Sequence, residues 1–383
     1  MSDILRQRIR APGPKRILSL DGGGIRGLIT LGFLETIEDR LKARMPALGL
    51  YAPPPTVNYF RLRDYYDLIG GTSTGSIIAA ALAAGLSVRH ITELYLELGS
   101  RIFSNPAFLS GFANGALVRK FDSGPLSEIL QEILQNRTLG DPSITCGLCV
   151  VAKRYDTNSI WALVNAPDSR FYADINEPNS AFSLAQIVRA STAAPSYFDP
   201  EHIRLGRAEY GFIDGGISMH NNPALKLLIV ATVPDFGFHW PVGPEKLSIV
   251  SIGTGDWSRK VPLRRWSNGV MPLTQAGDII DMFMEDASAL NETLLQAIGT
   301  GENRREIDTL IGRLDGTLWG PPLLRYERFQ AVLEEPFFEA NGLSAYKARI
   351  PLYRKMDDVS HMQGLLDIGR ILAHRQIGEN DLP

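Results

Sequence analysis

The chain has 383 residues, with 39 basic and 42 acidic side chains for a formal charge of −3, and 44% of it is hydrophobic. That composition supplies a sizeable core and excludes both a disordered chain and a basic nucleic-acid-binding face. The opening MSDILRQRIRAPGPK has no apolar stretch of the secretory kind, and the longest apolar run, Ser76 to Val88, is about 13 residues where a bilayer needs roughly 20.

Residues 1–15 read as a loose lead-in because of Pro12-Gly13-Pro14. A strand at Ile17–Leu20 runs into a glycine loop, and a helix follows with apolar positions at Leu28, Leu31, Leu34, Ile37 and Leu41. The proline-rich Tyr51–Arg61 links it to a second strand at Tyr66–Ile69. After Ser73 an alanine-rich helix reaches about Ala84 and stops at Gly85. Arg101 to Lys120 mixes aromatics with glycines and has the composition of either a lid that settles into a lipid interface or a packed connection. Further strands are predicted at Ile144–Ala152, Ile160–Val164, Tyr210–Ile213 and Leu247–Ile252, with a helix starting at Asn222-Pro223. The alternation implies an α/β core with a largely parallel central sheet. Residues 16–256 are expected to form that core, and 257–383 a helical C-terminal region on the same domain, with a boundary near Gly255–Trp266. Cys146 and Cys149, in CGLC, run into a strand that places the two thiols on opposite faces, so they read as reduced core residues suited to the cytoplasm.

The glycine loop, LSLDGGGIRGLITL (Leu18–Leu31), satisfies GxGxxG and lies between a strand and a helix. A dinucleotide fingerprint also needs an acid-tipped second strand about 20 residues on, and here the helix simply continues. A P-loop needs a lysine where Leu28 stands. The third reading is a nest of backbone N–H groups aimed at a transient negative charge, which requires a nucleophile elsewhere.

YDLIGGTSTGS, from Tyr66, supplies one: strand, sharp turn, helix, with Gly71, Ser73 and Gly75 matching G-x-S-x-G at the turn. Its base is either a late histidine (His220, His239, His361 or His374) or an aspartate. Asp214 is the stronger choice, standing at the tip of an apolar strand in GFIDGG and followed by Gly215 and Gly216. The carboxyl ends of parallel strands would bring Asp214, Ser73 and the Gly22 loop to one edge. An aspartate is a poor base at its ordinary pKa near ~3.9, so burial must raise it.

With DGGGIRG (Asp21–Gly27), GTSTGS (Gly71–Ser76), RASTAAPSYF (Arg189–Phe198), DGGISMHNNP (Asp214–Pro223) and SIGTG (Ser251–Gly255) in this order, the chain resembles the patatin-like phospholipase family. The resemblance implies a three-layer α/β/α fold and an acyl hydrolase acting on glycerophospholipids or other acyl lipids, without metal or cofactor. Carried onto matching positions it makes Ser73 the nucleophile, Asp214 the base, and Gly22, Gly23 and Gly24 the oxyanion loop, supported by Arg26. Ser76 departs from the glycine that many members carry there. The implied partner is membrane phospholipid, met by peripheral contact at the inner membrane surface. Similar bacterial proteins include phage-defence effectors switched on by cyclic nucleotides, and the arginines between Arg259 and Arg305 make such an activator an expectation here too.

Overall fold

In the computed structural model residues 3–48, 60–103, 111–113, 116–118, 121–176, 178–195, 197–258, 276–314 and 318–382 are described. The strands are β1 (Lys15–Leu20), β2 (Leu68–Thr72), β3 (Gly111–Ala113), β4 (Ala116–Val118), β5 (Gly147–Arg154), β6 (Ser159–Val164), β7 (Glu201–Leu205), β8 (Ala208–Asp214), β9 (Leu247–Ile252), β10 (Gly299–Thr300) and β11 (Leu324–Phe329). The helices are α1 (Asp3–Arg10), α2 (Gly27–Leu48), α3 (Leu62–Tyr65), α4 (Thr74–Ala83), α5 (Val88–Phe103), α6 (Gly124–Leu134), α7 (Leu184–Ser191), α8 (Ala224–Thr232), α9 (Ala276–Ile298), α10 (Glu335–Ala340), α11 (Ile350–Tyr353) and α12 (Met362–Gln376). β3 and β4 pair only with each other; the remaining strands form one sheet in the order β10-β11-β9-β1-β2-β5-β8-β7, with β6 also on β5.

From β10 to β5 every pairing is parallel, whereas β6, β7 and β8 join antiparallel. Parallel strands covered on both faces must be apolar throughout, and β2 and β9 are buried along their whole length. The two faces hold separate cores. Leu18 and Leu20 of β1 pack with Leu28 and Leu34 of α2, Ile78 of α4, Ile187 of α7 and Leu366 of α12. Ile17, pointing the other way, packs with Leu5 and Ile9 of α1, Leu227 of α8 and Leu295 of α9. This is the three-layer α/β/α arrangement expected. Cys146 and Cys149 are free thiols buried in opposite cores, and burial pushes both up to about 12.

Two expectations need correction. The N-terminal residues are not a loose lead-in: α1 buries Leu5 and Ile9, one turn apart, and the Arg8 guanidinium donates to the carbonyls of Arg63 and Tyr66 at 2.6 and 2.9 Å. The C-terminal region is not wholly helical. β11 pairs with β9 from Arg325↔Ser248 to Phe329↔Ile252 and so extends the central sheet, while α12 lies on α2 with Arg370 held to Glu35 at 2.6 Å. Tyr51–Arg61 and 101–120 fall mostly outside the described residues. No helix among the described residues is long and apolar enough to cross a membrane.

Candidate active site

β2 ends at Thr72 and α4 starts at Thr74, leaving Ser73 alone in the turn with φ 53° and ψ −126°. A left-handed φ is strained for a residue with a Cβ and persists only where the surroundings impose it. Glycine is required at Gly75 because a Cβ there would sit 2.2 Å from the Leu20 carbonyl oxygen, so β1 and α4 approach this closely only without a side chain. The turn projects the half-buried Ser73 hydroxyl from the N-terminal end of α4, where the helix dipole favours negative charge.

The aspartate arrives from the opposite direction. β2 pairs with β5 from Leu68↔Gly147 to Thr72↔Val151, and β8 pairs with the next β5 residues, Asp214↔Ala152 through Phe212↔Arg154. Because β6 occupies the other edge of β5 over residues 149–154, β2 and β8 must share one edge and meet tip to tip. The expectation of a parallel Asp214 strand is therefore wrong in direction, although the strand's carboxyl end does deliver the residue. Ser73 Oγ donates to Asp214 Oδ2 at 2.6 Å, and Gly216 N donates to Asp214 Oδ1 at 2.6 Å. Asp214 is 4% exposed. Burial pushes its carboxyl up to about 6, against the opposing pull of the Ser73 hydroxyl, the Gly216 amide and the Arg189 guanidinium.

The glycine loop lies against this pair: a Cβ on Gly22 would come within 3.1 Å of the Ser73 Cβ. Its own N–H is taken by the Asn221 carbonyl at 3.0 Å, so Gly22 acts as a spacer and is not a donor. Ile25 N–H goes to the Met356 carbonyl and Arg26 N–H to Gly23 O. The N–H groups of Gly23 and Gly24 have no partner among the described residues. Their orientation is set from behind. Thr254 Oγ1 donates to the Gly22 carbonyl at 2.7 Å, and Arg26 Nε reaches the Gly23 carbonyl at 3.4 Å. In a trans peptide the N–H points away from the carbonyl, so holding those two oxygens turns the Gly23 and Gly24 amides to the other side. Two unpaired amides are fewer than a phosphate cradle would need.

Among the described residues Arg26 bonds neither Ser73 nor Asp214. It is buried, donates also to the Gly255 carbonyl and lies 4.9 Å over the Trp257 ring. Asp21, at the head of the loop, is clamped by both terminal nitrogens of Arg328 at 3.0 and 2.6 Å, in a buried pair that keeps the guanidinium charged. Beside the loop a cavity of about 340 Å³ is lined by Asp21, Arg26, Asn221, Trp257, Met284 and Glu292, among others.

No histidine ring bonds Ser73 or Asp214 among the described residues. His220 meets the elbow through its backbone, whose carbonyl accepts from Thr72 Oγ1 at 2.6 Å; burial holds its imidazole down at about 4. His239 lines a surface pocket with Ile9 and Lys15, at the start of β1. His361 and His374 sit at the start and in the last turn of α12. Sequence reasoning missed Ser191, Thr254, Asn221 and Arg328 as site residues. Ser191, Thr254 and Asn221 fall inside motifs already noted, whereas nothing around Arg328 marks it.

An α/β sheet with a strained serine at a strand–helix elbow, bonded to a buried carboxylate beside a glycine loop, is the architecture of a serine-type hydrolase core. The chain belongs to the patatin-like phospholipase family, whose sequence model matches residues 18–228. Patatin-17 of Solanum cardiophyllum is 30% identical over 260 residues, covering 63% of this chain and 61% of that protein. A cGAMP-activated phospholipase of Escherichia coli is 28% identical over 257 residues, covering 66% and 67%. The chain thus spans about three fifths of the plant relative's length. Among solved structures, VipD from Legionella pneumophila aligns over 93% of this chain and 67% of its own at 15% identity, with a TM-score of 0.32.

Proposed function

We propose that this chain is a lipid acyl hydrolase of phospholipase A type, cleaving fatty-acyl esters of glycerophospholipids through Ser73 and Asp214. The 2.6 Å hydrogen bond from the Ser73 hydroxyl to a buried Asp214 with a raised pKa carries the reading. Family membership supports the substrate class, since members are lipid acyl hydrolases. Asp214 takes the hydroxyl proton as Oγ attacks the ester carbonyl, and the Gly23 and Gly24 amides receive the oxyanion. The proton passes to the departing lysophospholipid oxygen. Water then attacks the acyl-enzyme, giving its proton to Asp214 and releasing the fatty acid as Ser73 is restored. The direct test is mass spectrometry of products from mixed bacterial phospholipids: lysophospholipids and free fatty acids should appear with the intact chain and not with Ser73→Ala. Equal product from both would end the proposal.

Acting on such a substrate, the protein would work at the cytoplasmic face of the inner membrane by peripheral contact. Activation by a cyclic nucleotide is a further part of the reading, supported by similarity to cGAMP-activated phospholipases of Escherichia coli and Vibrio cholerae. The arginines that suggested it are already engaged where described, Arg304 with the carbonyls of Gln296 and Gly299 and Arg305 with Glu292 and Asp256. A basal rate unchanged by added cGAMP would remove that part and leave the hydrolase.

A further inference from the structure

The Ser73 N–H falls between the last residue of β2 and the first of α4, so neither the sheet ladder nor the helix supplies its acceptor. That acceptor is Ser191 Oγ, at 2.9 Å. The same hydroxyl donates its own proton to the Val151 carbonyl at 2.6 Å. Ser191 is wholly buried at the C-terminal end of α7, and its hydroxyl links the elbow to β5. Two residues on, the Ala193 carbonyl accepts the Asp214 N–H at 2.9 Å. One short stretch at the C-terminal end of α7 therefore holds both halves of the dyad, the serine through a side chain and the aspartate through a backbone oxygen. Val151 faces Thr72 across the ladder and its neighbour Ala152 faces Asp214, so Ser191 anchors the elbow where the two strand tips meet.

Accepting the Ser73–Asp214 reading on which this rests, we propose that Ser191 is a positioning residue: its hydroxyl maintains the strained elbow and so keeps the Ser73 Oγ within reach of the Asp214 carboxylate. A serine at φ 53° relaxes toward ordinary backbone angles once its amide loses that anchor, and relaxation swings Oγ off the carboxylate. Displacement of a reacting atom by about 1 Å is enough for roughly 100-fold in rate. Ser191 carries no charge, so its loss acts on Asp214 only through the Ser73 hydroxyl, whose hydrogen bond pulls the carboxyl down; losing that bond should lower the rate and shift the pH midpoint upward.

The test uses the full chain and two readouts: hydrolysis of a soluble short-chain p-nitrophenyl ester, and the rate of Ser73 labelling by a fluorophosphonate. Ser191→Ala should lower kcat and the labelling rate together by roughly 10- to 100-fold, leave KM in place, shift the pH midpoint only upward, and keep the wild-type melting temperature to within a few degrees. Ser191→Thr, which retains a hydroxyl, should recover much of both rates. If Ser191→Ala does not fold, Ser191→Cys carries the same comparison. Labelling at the wild-type rate in the folded variant, or a pH midpoint that falls, would overturn the proposal. A wild-type chain that takes no label would refute the dyad reading itself, and this proposal with it.

Discussion

Replacing Asp214 by asparagine should destroy turnover and make the protein more stable at neutral pH. The carboxyl rises from an ordinary 3.8 to about 6 because burial disfavours its charged form. Each tenfold step in ionisation constant is worth about 1.4 kcal/mol, so holding the ionised carboxylate in the folded chain costs about 3 kcal/mol. The folded state binds the proton more tightly than the unfolded state. The penalty is therefore absent below about pH 4, grows between about 4 and 6, and is complete above that. Asparagine is nearly the same shape; its amide oxygen still accepts from Gly216 N–H and its nitrogen faces Ser73 Oγ without a charge to desolvate. A chain of 383 residues unfolds with an entropy of about 0.8 kcal/mol/K, so 3 kcal/mol raises Tm by about 4 °C. Scanning calorimetry of both proteins at pH 7.5 and pH 4 measures this. The variant should melt higher at pH 7.5, and the gap should close at pH 4. A gap of the same size at both values, or a variant that melts lower at pH 7.5, would refute the claim that a buried, ionised Asp214 is a burden on the fold.

The same raised pKa sets the activity profile: kcat/KM on a soluble ester should climb with pH around a midpoint near 6, leaving about a tenth of the plateau at pH 5. Arg189, a 2%-exposed guanidinium that draws Asp214 toward ionisation, should raise that midpoint by up to about one pH unit when replaced by glutamine, because a lost positive charge favours the protonated carboxyl. Gly24→Ala places a Cβ 2.3 Å from the Met356 carbonyl oxygen at a φ of +59°, so the loop must move; a ~100-fold loss of rate, the size expected for one oxyanion donor, should follow with little change in KM. Singly replacing His220, His239, His361 or His374 by glutamine should leave ester hydrolysis within a few-fold of wild type, and a histidine whose loss abolishes it would reinstate a triad.

The elbow and the DGG turn were legible because each depends on local rules, glycines where a side chain cannot fit and a polar residue at the tip of an apolar run. The glycine loop was legible for the same reason, but which of its amides remain unpaired depends on Asn221 and Met356, distant in sequence. The strand direction of β8 was not legible. Its apolar pattern reads identically either way, and only pairing with β5 decides it. β11 was missed because RYERF looks like a solvated segment; its charges are satisfied in the fold, Arg328 by the distant Asp21, and Glu327 by Arg325 on the same strand and by the amides of Glu302 and Asn303. α1 was missed because a proline–glycine–proline run suggested looseness, while two apolar residues one turn apart were enough to seat a short helix.

In the proposed mechanism an aspartate does the work of an imidazole, and the antiparallel β8 is what brings it to the serine. Running antiparallel, β8 ends against the tip of β2 along one edge of β5, so the carboxylate lies within the layer of the sheet with the Gly216 amide on one oxygen and the serine on the other. Water is excluded there, and its exclusion lifts the carboxyl to about 6. A base two steps of ten weaker would be ionised at neutral pH but would take the serine proton far less readily. Burial where two strand tips meet thereby sets the basicity of one side chain.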